Sequence, residues 1–384
     1  ASICVQGSLA GIMFGLRHFR EVSLTSMSAF ALRQTLVVSF LRLGFGLPGI
    51  VIGWGIGDSL YSLALFAFVR KFLGPIRLGF GFSYLMRFSM PLFFGDVATY
   101  ASTWFDRALL LPLVSLSQLG AYNVAVTAFG LLASMPGAVS GTLFPYYSRF
   151  YSDKNKVSET EDLEYAIRKA SRYLSLFAIP LAVGMAATAL PAVSLLAGSS
   201  YLDAAYPLAI LSISLAIGCL AQALSQIFVV LGRTGTSGAV TIGSVSISLL
   251  LGIAAVPYLG ILGASLSRGV SLLISLALAI SILRRILKLR FDLRAYTSAW
   301  IASLAMAGIV LIAQMFFYSK YLLPVYVAVG GLVFFLALRS LHSVTQEDLE
   351  LVSDFLGPNL IFLANWMKKL LGVKVDIDST RQPL

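Results

Sequence analysis

Charge is what this sequence has least of. Only 12% of its 384 residues are Asp, Glu, Lys or Arg, against about 25% in a soluble domain. That scarcity, with 58% hydrophobic residues and a mean hydropathy of +0.88, excludes a soluble globular chain. Two histidines, His18 and His342, and two cysteines, Cys4 and Cys219, are all there are. No His/Cys metal cluster can be built from them, and two thiols in distant apolar segments read as buried free cysteines. No Walker A sequence occurs, so the chain carries no ATP engine of that type. "GWGIGD" (53–58) lacks a preceding strand and reads as a small-residue helix-packing stretch. "DID" (376–378) lies in a polar tail with no domain around it.

What is abundant is long apolar segments. A bilayer crossing needs about 20 apolar residues. That ruler gives about eleven crossings, near 1–16, 28–46, 49–69, 91–114, 119–144, 173–197, 207–231, 238–257, 261–283, 297–317 and 322–339. They are too long for membrane strands and lack period-2 alternation, so the expected fold is all-α, a polytopic helical bundle. The chain begins with Ala inside an apolar run, with neither a basic start nor a cleavage site. The first crossing is therefore expected to be incomplete.

The net charge of +11 does not indicate nucleic acid, because Lys and Arg collect in alternate connectors. Arg70, Lys71, Arg77 and Arg87 form one such set, and Arg284, Arg285, Lys288, Arg290 and Arg294 another. "AGSSYLDAAY" (197–206) has none. The pattern predicts a multi-pass cell-membrane protein with basic loops and C-terminal tail in the cytoplasm. "SETED" before "LEYAIRKASRY" predicts a short amphipathic surface helix leading into the sixth crossing. "NWMKKLLGVKV" predicts another in the tail. The expected organisation is the remainder of an N-terminal lobe (1–72), a cytoplasmic connector (73–90), a C-terminal lobe (91–283), an additional transmembrane pair (284–339) and a cytoplasmic tail (340–384). Segments 47–70 and 259–284 echo each other in their glycine-containing openings and terminal arginine, as duplicated transporter halves do.

Charges inside the crossings are the functional signal, since each costs several kcal/mol at membrane depth. They are Arg33, Arg42, Asp58, Asp96, Asp106, Arg107 and Arg268. At 100° per residue, Tyr100, Thr103 and Arg107 lie within about 40° of Asp96 and share one stripe with it, with Asp96 and Arg107 roughly 16 Å apart. Trp104 is expected on a different face. Four arginines predict a wet cavity that receives an anion, because guanidinium forks onto phosphate oxygens. Asp58, Asp96 and Asp106 would balance charge or bind a coupling Na⁺ or H⁺. Gln222 and Gln226, one turn apart, would offer neutral contacts to sugar hydroxyls or bond between helices.

Three stretches carry a family resemblance. "MPLFFGDVATYASTWFDRALLLPLVSLSQLGAYNVAVTAFGLL" holds an Asp-Arg pair followed by a Leu-Gly-x-Tyr turn. "GTLFPYYSRFYSD" and "VVLGRTGTSGAVTIGSVSISLLLGIAAVPYLGILGASLSRGVSLL" follow. Together they resemble the multidrug/oligosaccharidyl-lipid/polysaccharide exporter superfamily, and within it the O-antigen-type polysaccharide flippases. The resemblance implies two lobes around a central cavity, with the first helices lacking here. It also implies a transporter, not an enzyme, without a cofactor. Such a transporter moves polyprenyl- or dolichyl-diphosphate-linked oligosaccharide to the outer leaflet by alternating access. Its partners would be that substrate, membrane lipids and other polysaccharide-assembly proteins. The rival within the superfamily is a cation-coupled drug antiporter. A membrane-embedded polymerase would need larger outer loops than these.

Overall fold

The computed structural model describes residues 2–16, 18–71, 82–151, 159–287 and 291–341. Every regular element among them is helical: α1 (Ser2–Gly15), α2 (Phe19–Arg42), α3 (Gly46–Arg70), α4 (Phe82–Leu110), α5 (Leu116–Tyr151), α6 (Glu159–Ala187), α7 (Ala189–Leu196), α8 (Ala205–Gly218), α9 (Leu220–Val230), α10 (Thr234–Leu283), α11 (Leu293–Phe316) and α12 (Leu323–Ser340). Short 3₁₀ turns precede α8 and α12. Helices satisfy their own backbone groups where no water can, so this is the structure that the apolar composition demands.

Each expected crossing falls on this helical order. The sixth is broken at Thr188 into α6 and α7, and the seventh at Cys219 into α8 and α9. The eighth and ninth are the two arms of α10, whose direction changes at Gly260 (φ 53°, ψ −128°) after Pro257. That φ lies where only glycine is comfortable. The arms fold back on one another: Ser248 Oγ donates to the Ser267 carbonyl at 2.9 Å. Eight helices are long and apolar enough to cross a membrane by length and composition. The 50-residue α10 counts once among them. α4, with Arg87, Asp96, Asp106 and Arg107, is not among the eight.

The chain divides into two units, Ala1–Ser83 and Tyr84–Leu384. In the first, α2 and α3 form a hairpin whose contact face is a glycine ladder. A Cβ added to Gly49 would stand 2.9 Å from Phe40, one on Gly53 3.0 Å from Val37, and one on Gly57 2.7 Å from the Arg33 Cβ. "GWGIGD" is thus a close-packing surface. The same unit buries Leu9, Met13, Val22, Leu65 and Val69 together.

The second unit has a large core in which α5, α6, α8 and α11 meet around residues such as Tyr122, Leu174, Leu211 and Ala302. A smaller core joins Tyr147, Leu163, Ile167, Phe228 and Leu283. Leu163 and Ile167 belong to the segment expected to lie apart as a surface helix. Instead α6 runs unbroken from Glu159, because its apolar stripe continues the spacing of the crossing and finds cover on α5, α9 and α10. The expected tail helix and much of the 73–90 connector lie outside the described residues.

α11 is fixed to α6 at its start. Asp292 caps it by accepting from the Ala295 N–H (2.9 Å), and the Arg172 guanidinium meets Asp292 Oδ2 at 2.9 Å. Burial by itself would raise the Asp292 pKa. The Ala295 N–H and Arg172 outweigh that and hold it below the ordinary carboxylate value. A depressed folded pKa gives stability that is present at neutral pH and lost on acidification. The melting temperature of Asp292→Asn should lie below that of the parent at pH 7, with the gap closing below about pH 4. A gap independent of pH would contradict the assignment.

The glycine ladder gives a second test. Gly57→Ala should cost about 1–3 kcal/mol through overpacking. Gly55→Ala, with nothing within 4 Å of the added Cβ, should be neutral or slightly stabilising. Thermal unfolding of the two variants checks this.

Candidate functional site

Three of the seven membrane charges, Asp106, Arg107 and Arg268, gather at the α4–α5 corner. A short turn at 111–115 returns the chain, so the doublet Asp106-Arg107 on α4 faces the doublet Tyr122-Asn123 on α5. The pairing goes residue by residue. Tyr122 Oη donates to Asp106 Oδ2 at 3.0 Å, and Arg107 Nε donates to Asn123 Oδ1 at 2.6 Å. Asp106 is 6% exposed, and its charge is met by Arg268 from the second arm of α10, with Nη1 at 3.1 Å from Oδ2. Three helices therefore converge on one carboxylate. A buried carboxylate without such partners would cost several kcal/mol, so Asp106 fixes where α4, α5 and α10 meet.

Close backbone contacts support the same convergence. A Cβ on Gly238, in the first arm of α10, would collide with the Pro91 carbonyl of α4. Gly95 faces Thr241 one to two turns further along. Small residues let these two helices approach.

Arg107 is held differently. Besides Asn123, its Nη1 donates to the Thr103 carbonyl at 3.1 Å, and its guanidinium lies 5.2 Å from the centre of the Trp104 ring. It makes no ion pair among the described residues. Its hydrogen bonds go to neutral groups, and the nearby Asp106 carboxylate is in direct contact with Arg268 instead. Tyr100, 68% exposed, packs edge-on against Trp104 at 6.3 Å. Tyr100, Trp104 and Arg107 thus form a ladder along α4. Trp104 joins the polar stripe although its helical angle sets it apart, because the long Arg107 side chain runs back toward the preceding turn and over the ring. Thr103 is half-buried beside it, and Asp96 is exposed further down the stripe without an ion pair among the described residues.

In the first unit, Arg33 Nη1 meets Asp58 Oδ1 at 3.3 Å, with the two side chains 31% and 24% exposed. Phe30 lies 5.3 Å from the guanidinium, and the Arg33 Nε is buried without a partner. Gly57 makes this contact possible by letting α2 approach. Gln6 adds a hydrogen bond to the Asp58 carbonyl at 2.8 Å. Arg42 is exposed in the last turn of α2, where a cation complements the helix dipole.

The expected arginine set is thereby divided. Among the described residues, Arg33 and Arg268 each hold a carboxylate, whereas Arg42 and Arg107 do not. Among the aspartates, Asp58 and Asp106 balance charge and Asp96 stands alone. Gln222 and Gln226 are half-buried on α9. A Cβ on Gly137 of α5 would stand 3.3 Å from Gln222 Oε1, so this side chain lies in a helix–helix contact. Tyr122, Asn123 and Trp104 are the site residues that charge alone did not indicate. The available signal was the second polar doublet in an otherwise apolar helix, inside the "LGAYN" of the quoted resemblance.

Compared with solved structures, the fold resembles the lipid II flippase MurJ in its inward closed conformation. The TM-score is 0.69 at 16% identity, over 88% of this chain and 70% of that one. The class is therefore a multi-pass helical membrane protein with an exporter fold. Residues 16–206 match the family model described as polysaccharide biosynthesis protein. That match spans just under half of the chain, and over it the chain is similar to the polysaccharide-biosynthesis family. Among curated proteins, none matches the sequence.

Removing one partner of a buried ion pair strands the other. Asp106→Ala should therefore destabilise the second unit by an amount near the lower end of the ~3–5 kcal/mol seen for such losses, since Arg268 is a quarter exposed. Replacing both residues, as Asp106→Leu with Arg268→Leu, should recover most of that loss. Unfolding of the single and double variants in detergent tests it, and an equally unstable double variant would contradict the pairing.

Proposed function

We propose that this protein flips a lipid-linked oligosaccharide across the cell membrane, from the cytoplasmic to the outer leaflet, by alternating access. The substrate class is a polyprenyl or dolichyl diphosphate carrying a glycan. The observation that carries the reading is Arg107: an intramembrane guanidinium, oriented by Asn123 and Thr103, over an aromatic face and in no ion pair among the described residues. Such a group pairs well with a diphosphate oxygen. In the first unit, the Arg33 Nε is a further buried donor without a partner. Arg42 adds an exposed positive charge, and Arg268 contributes mainly by ordering Asp106. The family match to polysaccharide biosynthesis proteins and a fold shared with a lipid II flippase support this reading over an enzymatic one.

In operation the lipid tails stay in the bilayer while the head group crosses between states. Asp96, exposed on the same stripe, is the residue that would take a coupling Na⁺ or H⁺. It is also the observation that favours the second reading, a cation-coupled drug antiporter. That reading requires Asp96 and is indifferent to Arg107.

Head-group translocation of a polyprenyl-diphosphate oligosaccharide, measured in proteoliposomes with the full chain, separates the two. Losing a charge-assisted hydrogen bond to the anion should slow Arg107→Gln about tenfold or more at unchanged folding. Transport that survives replacement of Arg33, Arg42, Arg107 and Arg268 together by Gln would overturn the role given to the arginines. Transport of an organic cation that depends on Asp96 would favour the antiporter.

A further inference from the structure

A second feature of the Tyr84–Leu384 unit lies away from the arginines. Three turns of chain meet at one end of it: the α4–α5 turn, the 3₁₀ turn Ser199–Ala204 and the bend of α10 at Gly260. Between them is a cavity of about 410 Å³, lined by residues that include Gln118, Asp203, Tyr206, Pro257 and Gly260. That volume is within the range of small-molecule sites, about 300–1,000 Å³. Helix direction puts this end opposite the one where Arg168, Arg233 and Arg284 sit. On the orientation proposed above it faces the outside.

The lining chemistry is selective. No Lys or Arg contributes, and the one acidic side chain is Asp203, so the lining does not suit a phosphate. Asp203 is exposed and makes no ion pair or hydrogen bond among the described residues. Gln118 is held by a reciprocal pair of bonds with Ser115: the Ser115 N–H donates to Gln118 Oε1 at 3.3 Å, and the Gln118 N–H donates to Ser115 Oγ at 3.2 Å. This fixes the amide and leaves its Nε2 hydrogens available as donors. Tyr206 is 65% exposed at the cavity and offers an aromatic face. A carboxylate acceptor, an amide donor and an aromatic ring, on a wall otherwise built of Leu, Val and Ile, suit a ring with hydroxyls around its edge and C–H groups on its face.

We infer that this cavity binds carbohydrate, and that it receives the sugar portion of the translocated substrate at the outer side while the diphosphate engages Arg107. The inference rests on the flippase reading for its physiological ligand, but the sugar binding is measurable without transport. Division of labour follows from charge: the arginine-bearing stripe takes the anionic part, and the cation-free cavity takes the neutral part.

The test uses the full chain in nanodiscs, free of sugar-headed detergent. Saturation-transfer NMR is recorded with glucose, maltotriose, N-acetylglucosamine and its β-1,4-linked trimer. At least one should receive saturation on its ring protons. Asp203→Ala combined with Tyr206→Ala should weaken that binding about tenfold or more, with an unchanged melting temperature because both side chains are exposed. The same variant should slow head-group translocation in proteoliposomes. Absence of saturation for every sugar, or binding that the double variant leaves intact, would overturn the inference and leave the flippase reading standing. Sugar binding lost in the variant without any effect on transport would overturn the assignment to the translocated substrate. Asp203-dependent binding of spermidine in place of any sugar would show a cation site and also overturn it. Loss of all transport in the parent protein with sugar binding intact would count against the flippase reading alone.

Discussion

A carboxylate that cannot reach water has to be paired, and that requirement organises the second unit of this protein. Asp106 is buried, and the partners it needs come from two other helices, Tyr122 of α5 and Arg268 of α10. Membrane helices have little hydrophobic reason to prefer one another over lipid. A three-helix polar junction supplies the specificity that apolar packing lacks. Close contact between Gly238 and the Pro91 carbonyl then sets α4 against α10 at a second point, and register follows from the two together.

The pairing of doublets across the α4–α5 corner also explains how one arginine is kept different from its neighbours. Asp106 and Arg107 are adjacent in sequence yet do not satisfy each other. Their side chains leave the helix about 100° apart, so one turns into the core and the other onto the partly exposed stripe. Asn123 can orient a guanidinium without cancelling its charge, which a carboxylate in the same place would do. In the first unit the opposite solution appears: Arg33 and Asp58 neutralise each other across a glycine-lined hairpin.

Much of the fold was legible in the sequence. Length and apolarity of the segments are direct consequences of bilayer thickness, and each expected crossing has a helix. The glycine spacing of 49, 53 and 57 was readable as a packing face. Less legible were the places where an apolar run is broken inside itself, at Thr188 and Cys219, because composition is continuous there. The start of α6 was misjudged for a related reason: charged residues on one face concealed an apolar stripe that is buried on the other. For the site, single-residue charge located Asp106, Arg107 and Arg268, but pairing is a tertiary property. Helical angles alone separated Trp104 from Arg107, whereas side-chain length brings them together. Asp106, grouped by its sequence with Asp58 and Asp96, is set apart from them by burial and by partners on two other helices.

Arg107 makes no ion pair among the described residues, and the role proposed for it is to meet a diphosphate. Phosphorus NMR of farnesyl diphosphate added to the purified protein tests it most directly. A bound-state shift is expected in the parent protein, retained in Asp96→Asn and abolished in Arg107→Gln. A shift that persists unchanged in Arg107→Gln would contradict it.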